Sequence, residues 1–194
     1  MSPTSDDLLA SLPETFRYSE ALDHISERQL RRLIDEGRII ALARGLYRKS
    51  DWLGDEDLTE IVAKAPQATL CLRSALARHE LIDDIPAEID IAIPRGSWTP
   101  KTTTPVRWRH LDPGTFDIGR DKLDIGGGRC IGIYSAERSI IDAFRMRHLE
   151  GADLANDALK RWLRRGGQPS ELLALARSFP RTQTGLRETL EILL

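Results

Sequence analysis

The sequence predicts an α+β fold: an N-terminal winged helix-turn-helix followed by a mixed domain in which helices cover a small sheet. Three observations predict it. Between Phe16 and Lys49 a short helix, a tight turn, a basic second helix and a hairpin follow one another without a break. From Glu88 the apolar period is two, with Ile89, Ile91 and Ile93 on one face, and short β-like runs recur at residues 106–110 and 130–134. After Ser135 the period becomes that of helices to the end of the chain, and strands followed by helices make an α+β architecture.

Each element has its own signal. A leading helix over residues 5–12 has Ser5 as cap, Asp6 and Asp7 in its first turn, and Leu8, Leu9 and Leu12 packing inward. The first helix of the helix-turn-helix, residues 19–24, offers Ala21 and Leu22, with Ile25 beyond it, as a packing surface. The second begins at Ser26, where Ser26 and Gln29 fit a capping box and Ile25 and Leu30 a hydrophobic staple. Leu30, Leu33 and Ile34 form its apolar stripe, Arg28, Arg31, Arg32 and Asp35 its polar face, and Gly37 a left-handed stop. Ile39, Ile40 and Leu42, the turn Ala43-Arg44-Gly45, and Leu46-Tyr47-Arg48 make the wing.

The boundary falls at residues 50–55, giving a winged helix-turn-helix domain over 1–50 and an α+β domain over 55–194. A helix starts near Leu58, and Ser74 caps another over residues 75–81. Gly126-Gly127-Gly128 reads as a hairpin turn, because no GK[ST] follows it. Ser135 caps a helix over 136–149 with Arg138 and Asp142 four residues apart, Asp153 caps one over 153–165, and Gly166-Gly167 ends it. One or two further helices use Leu172, Leu173 and Leu175, then Leu186, Leu190 and Leu193.

Charge is sorted along the chain. Phe16–Lys49 has eight basic and five acidic side chains, a net of +3, whereas the whole chain carries −2, so the remainder carries −5. A locally basic element in an acidic protein suggests a phosphate-facing surface. The candidate DNA-contact residues are Ser26, Arg28, Gln29, Arg31 and Arg32 on the second helix and Arg44, Arg48 and Lys49 on the wing. A candidate second basic surface uses Arg95, Lys101, Arg107 and Arg109, the last two alternating on one strand. The chain is apolar enough to fold (41%) and too charged (30%) for membrane insertion. No apolar run spans a bilayer and the first residues lack a signal peptide's pattern, so no membrane partner and a cytoplasmic location are expected. Cys71 and Cys130 read as small buried hydrophobes, and the cysteines and four histidines never reach metal-ligand spacing; no metal or cofactor is expected.

Three stretches together resemble the AbiEi-type antitoxins, winged-helix regulators of type IV toxin–antitoxin and abortive-infection operons. They are the helix-turn-helix with Gly37-Arg38-Ile39-Ile40 and Arg44-Gly45-Leu46-Tyr47, then Ser74-Ala75-Leu76-Ala77 with Ile91-Ala92-Ile93-Pro94-Arg95-Gly96, then Tyr134-Ser135-Ala136-Glu137-Arg138-Ser139 with Asp142-Ala143-Phe144-Arg145. Ser139 stands where a threonine is expected. The resemblance implies a DNA-binding antitoxin that represses its own operon and opposes a nucleotidyltransferase-type toxin, the type IV label denoting action without a stable complex. The implied partners are double-stranded operator DNA and, functionally, that toxin. It assigns no catalytic residue. Two rival readings are a plain regulator whose second domain senses a ligand or dimerises, and a nucleic-acid-processing enzyme built from Glu137, Asp142, Asp124 and His110. Against the enzyme, Glu137 suits a first helical turn and Asp142 has Arg138 and Arg145 within one turn.

Overall fold

A computed structural model describes residues 3–193 of the chain. Two compact units emerge, residues 3–66 with 124–130, and residues 67–123 with 131–193. The fold is α+β, as expected.

The first unit is a winged helix-turn-helix. Its elements are α1 (Ser5–Ala10), β1 (Thr15–Arg17), α2 (Tyr18–Leu22), α3 (Glu27–Asp35), β2 (Ile39–Ala43), β3 (Leu46–Lys49) and α4 (Glu56–Lys64). The strands form an antiparallel sheet in the order β1-β3-β2, with Phe16 opposite Tyr47 and Ile40 opposite Arg48. Leu8, Leu12, Phe16, Ala21, Ile25, Leu30, Leu33 and Ile39 close one core beneath the helices.

Several local expectations need correction. The cap of α1 is Thr4 and not Ser5: the Asp7 N–H donates to Thr4 Oγ1 at 3.2 Å and the Thr4 N–H to Asp7 Oδ2 at 3.0 Å. Strand β1 is only three residues, too short for an alternating pattern to register. Leu22 and Ile34 are exposed although both were expected inside. The helices are short, so Leu30 and Leu33 suffice for the buried stripe and Ile34 lies at its rim. The domain boundary also moves, from residues 50–55 to Pro66. Helix α4, capped by Asp55, groups with the first unit, where Arg48 pairs with Glu56 at 2.8 Å and the Arg17 guanidinium donates to the Ala63 carbonyl. Residues 124–130 join the same unit; they include the turn Gly126-Gly127-Gly128, whose three positive φ angles (+90°, +63°, +71°) explain a run of glycines. Within it Cys130 is exposed, not buried.

The second unit is built on β4 (Thr69–Leu70), α5 (Leu72–Arg78), β5 (Ile89–Pro94), β6 (Val106–Leu111), β7 (Arg120–Gly126), β8 (Arg129–Tyr134), α6 (Ala136–Arg145), α7 (Arg147–Glu150), α8 (Ala152–Arg164), α9 (Pro169–Ala176) and α10 (Gln183–Leu193). The sheet runs β6-β5-β4-β8-β7 and is mixed: β5–β6 and β4–β8 are parallel, β4–β5 antiparallel. Strand β5 is therefore internal, and Asp90, Ile91, Ala92 and Ile93 are all buried where a half-exposed strand was expected. Ser74 lies inside α5 rather than at its cap, and its Oγ accepts the Asp90 N–H at 2.9 Å. The long helix expected over 136–149 breaks at Met146 into α6 and α7. Helix α8 is preceded by Gly151 (φ +89°), leaving Asp153 in its first turn instead of at its cap.

The helical core gathers around α6, whose Ile140, Ile141, Ala143 and Phe144 pack with Leu154, Leu159, Trp162, Leu172 and Leu186. Through this core runs a charge. Arg138 is fully buried, as is Asp142 one turn later, and Arg138 Nε donates to Asp142 Oδ2 at 2.9 Å. Its Nη1 donates to the carbonyls of Thr115 at 2.8 Å and Ile118 at 2.5 Å, while its guanidinium carbon lies 4.2 Å from the Tyr134 ring centre and 4.4 Å from that of Phe179. Nη2 has no hydrogen-bond partner among the described residues. Asp142 is the better provided of the two, since its second oxygen accepts Arg145 Nη1 at 2.7 Å. Stranding one member of a buried pair costs roughly 3–5 kcal/mol. Asp142→Leu, which leaves Arg138 with carbonyls alone, should cost about that much in urea unfolding. Arg138→Met should cost less, because Asp142 keeps Arg145. Equal losses, or a larger one for Arg138→Met, would contradict this ordering.

Candidate nucleic-acid interface

Helix α3 is fixed at both ends by its own sequence. At the start, the Ser26 N–H donates to Gln29 Oε1 at 2.8 Å and the Gln29 N–H to Ser26 Oγ at 3.4 Å, completing the predicted capping box. Ile25 and Leu30 share the buried core below it, as a staple requires. At the end, Gly37 takes φ +69°, its N–H donating to the Ile34 carbonyl and the Arg38 N–H to the Leu33 carbonyl, both at 2.9 Å. These two bonds are the Schellman pattern. A short helix held at both ends keeps its outer side chains in a fixed frame.

That outer face carries Arg28, Arg31, Arg32 and Asp35, which with Ser26 and Gln29 line a shallow open concavity. Arg28 is exposed and has no ion pair among the described residues. Arg31 pairs with Glu27 at 2.7 Å, with side chains 75% and 53% exposed. Arg32 pairs with Glu36 at 3.3 Å and donates to Ser5 Oγ at 2.7 Å, again at the surface. Exposed pairs of this kind hold weakly and exchange readily for a competing anion. The amide oxygen of Gln29 is committed to the cap, accepting also from Ser26 Oγ at 2.8 Å.

The wing divides. Arg44 is exposed at the tip beside Gly45 (φ +72°) and has no partner among the described residues. Arg48 instead turns inward: besides the pair with Glu56, its Nη1 donates to the carbonyls of Lys49 at 3.0 Å and Ser50 at 3.1 Å. Lys49 pairs with Glu14 at 3.2 Å and is mostly buried. Both basic groups were expected at the interface, and both are engaged by carboxylates of the same unit. Their partners lie outside the hairpin in sequence, so the hairpin alone could not reveal them. Tyr18 at the start of α2 went unnoticed for want of any spacing signal; loss of hydration and the nearby Glu27 carboxylate raise its phenol above 10.0. It remains a neutral hydroxyl donor beside α3.

The candidate second basic surface lies in the second unit, and its strand arginines are matched by acids. Arg107 Nη2 meets Glu88 at 2.7 Å, and its Nη1 lies 3.9 Å from Glu150. Arg109 Nη2 meets Asp90 at 3.1 Å and also Glu150. Arg95 and Lys101 are exposed. This strand face is an ion-pair ladder in place of a bare positive patch. The acids considered for an enzyme are likewise engaged: Glu137 accepts the Trp162 indole N–H at 3.3 Å, Asp142 holds two arginines, Asp124 accepts the Gly126 N–H at 2.8 Å, and His110 meets Thr99 at 3.1 Å. Among the described residues no three His, Cys, Asp or Glu side chains could hold a metal, and no helix is long and apolar enough to cross a membrane.

Burial raises the Asp90 carboxyl above 3.8, and the neighbouring Arg109 only partly offsets it. The folded chain therefore binds that proton more tightly than the unfolded one, so Asp90's contribution to stability is lost as pH rises through the raised value. Asp90→Asn removes this loss. The melting-temperature difference, variant minus parent, should become more positive from pH 4 to 7. A difference that stays flat or falls would show that Asp90 is not held in this way.

No protein-family model matches the chain, and no curated protein matches it. Among solved structures, the chain is similar to the RV2827C protein from Mycobacterium tuberculosis, with 15% identity, a TM-score of 0.55, and coverage of 97% of this chain and 78% of that one. At that identity the likeness establishes the fold alone.

Proposed function

We propose that this chain is a DNA-binding antitoxin of the AbiEi kind, which represses its own operon and counteracts a nucleotidyltransferase-type toxin. The observation that carries the DNA-binding half is the outer face of α3. A helix fixed at both ends presents Arg28, unpaired among the described residues, and Arg31 and Arg32 in surface pairs, with Arg44 likewise unpaired on the wing. Side chains near the start of a recognition helix reach base edges in the major groove, and arginine grips guanine with two hydrogen bonds. Arg44 is suited to phosphate or minor-groove contact, which steadies the protein without reading sequence. The antitoxin half rests on the resemblance of the three stretches, and the acids of the second unit serve the fold in this reading, with no catalytic role.

The test is affinity for the duplex upstream of the protein's own gene and for an unrelated duplex, at several salt concentrations. Arg28→Ala should cost ~1–3 kcal/mol on the operator and much less on unrelated DNA. Arg44→Ala should weaken both alike and flatten the salt slope by roughly one. Arg48→Ala should lower stability and leave specificity unchanged, since that side chain is spent on Glu56. Uniform losses on both duplexes for Arg28, Arg31 and Arg32 variants would remove α3 as the reader. Co-expression with the adjacent toxin gene tests the antitoxin half: growth is rescued if the reading holds, and a ligand-sensing regulator would not rescue it.

A further inference from the structure

In the second unit the end of α6, the short α7, the 3-10 turn Pro180–Thr182 and the start of α10 line an open pocket of about 310 Å³. Its walls include Arg145, Arg147, His148, Arg181, Thr182 and Gly185, and no carboxylate. Elsewhere in the unit Arg107, Arg109 and Arg138 each have an acid in contact, and of the cavity's arginines Arg145 alone does, through Asp142. Like charges gathered around one small concavity repel, and an anion between them removes that repulsion.

The cations are differently held. Arg145 gives Nη1 to Asp142 at 2.7 Å, and its guanidinium carbon lies 5.0 Å from the Phe179 ring centre, so one edge is anchored and the other remains for a ligand. Arg147 and Arg181 are exposed and have no ion pair or hydrogen bond among the described residues. A Cβ on Gly185 would stand 2.9 Å from Arg147 Nη1, so this guanidinium lies close over the first turn of α10. Thr182, on the same wall, is 4% exposed, and its Oγ1 has no hydrogen-bond partner among the described residues.

The geometry points to a binding site for a small phosphate-bearing anion, at most about a mononucleotide in size. Guanidinium forks match phosphate oxygens in pairs, and the volume is at the low end of small-molecule sites, about 300–1,000 Å³. The site is independent of the DNA-binding reading: it shares no residue with α3 or the wing.

Calorimetric titration of the full chain with AMP and with pyrophosphate, at ionic strength matched with sodium chloride, tests it. Saturable one-to-one binding is expected, weakened about tenfold or more in Arg147→Gln and in Arg181→Gln. Gly185→Val should weaken it too, by displacing the Arg147 guanidinium. Arg187→Gln, on α10 but outside the cavity, should bind as the parent does. Tighter binding of AMP than of pyrophosphate would identify a nucleotide ligand, and the reverse order a free phosphate compound. The proposal is overturned if neither probe saturates, if Arg187→Gln loses as much as the cavity variants, or if only duplex DNA depends on Arg147 and Arg181.

Discussion

A guanidinium removed from water must find its partners inside the fold, and Arg138 finds them on α6 itself, in two loop carbonyls and between two aromatic rings. This constraint organises the second unit. Asp142 has to lie one turn along α6, Phe179 has to cover the guanidinium plane from beyond α9, and the loop carrying Thr115 and Ile118 has to turn its carbonyls inward. Gly119, at φ +66°, packs against the base of the same side chain, where a Cβ would come within 2.9 Å of Arg138 Cβ. The apolar residues of α6, α8 and α10 then close around an already positioned charge.

The same question, which cations the fold consumes, separates structure from function across the chain. Arg48, Lys49, Arg107 and Arg109 are matched by carboxylates, and three of the four are largely covered. On α3 the matching is absent for Arg28 and loose for Arg31 and Arg32. Helix α3 together with its C-cap Glu36 has three acids and three bases, so its basic character comes from arrangement rather than net charge. Glu27 and Glu36 hold their arginines in pairs that are exposed on both sides.

What could be read from sequence was what is local. The Ser26–Gln29 box, the Ile25–Leu30 staple, the Gly37 stop and the Arg138–Asp142 spacing each involve residues within one or two turns, and each is present. Pairings across the chain were invisible: β1 against β3, Arg48 with Glu56, Asp90 with Arg109, and Ser74 spent on the Asp90 N–H instead of a cap. Strand β5 looked half-buried because alternation reports one face, and nothing in its own residues indicates that helices cover the other. The candidate interface was legible to the same degree. Its helix could be derived from local rules, whereas the removal of Arg48 and Lys49 depended on Glu56 and Glu14.

The central claim is that α3 and the wing tip meet DNA. Amide chemical-shift mapping of the ¹⁵N-labelled full chain, titrated with the duplex upstream of its own gene, examines this most directly. The account predicts that the largest changes fall at residues 27–32 and at Arg44, and that Arg48 and Arg107 change little. Saturable binding with α3 silent, and with all changes confined to residues 67–123 and 131–193, would contradict it.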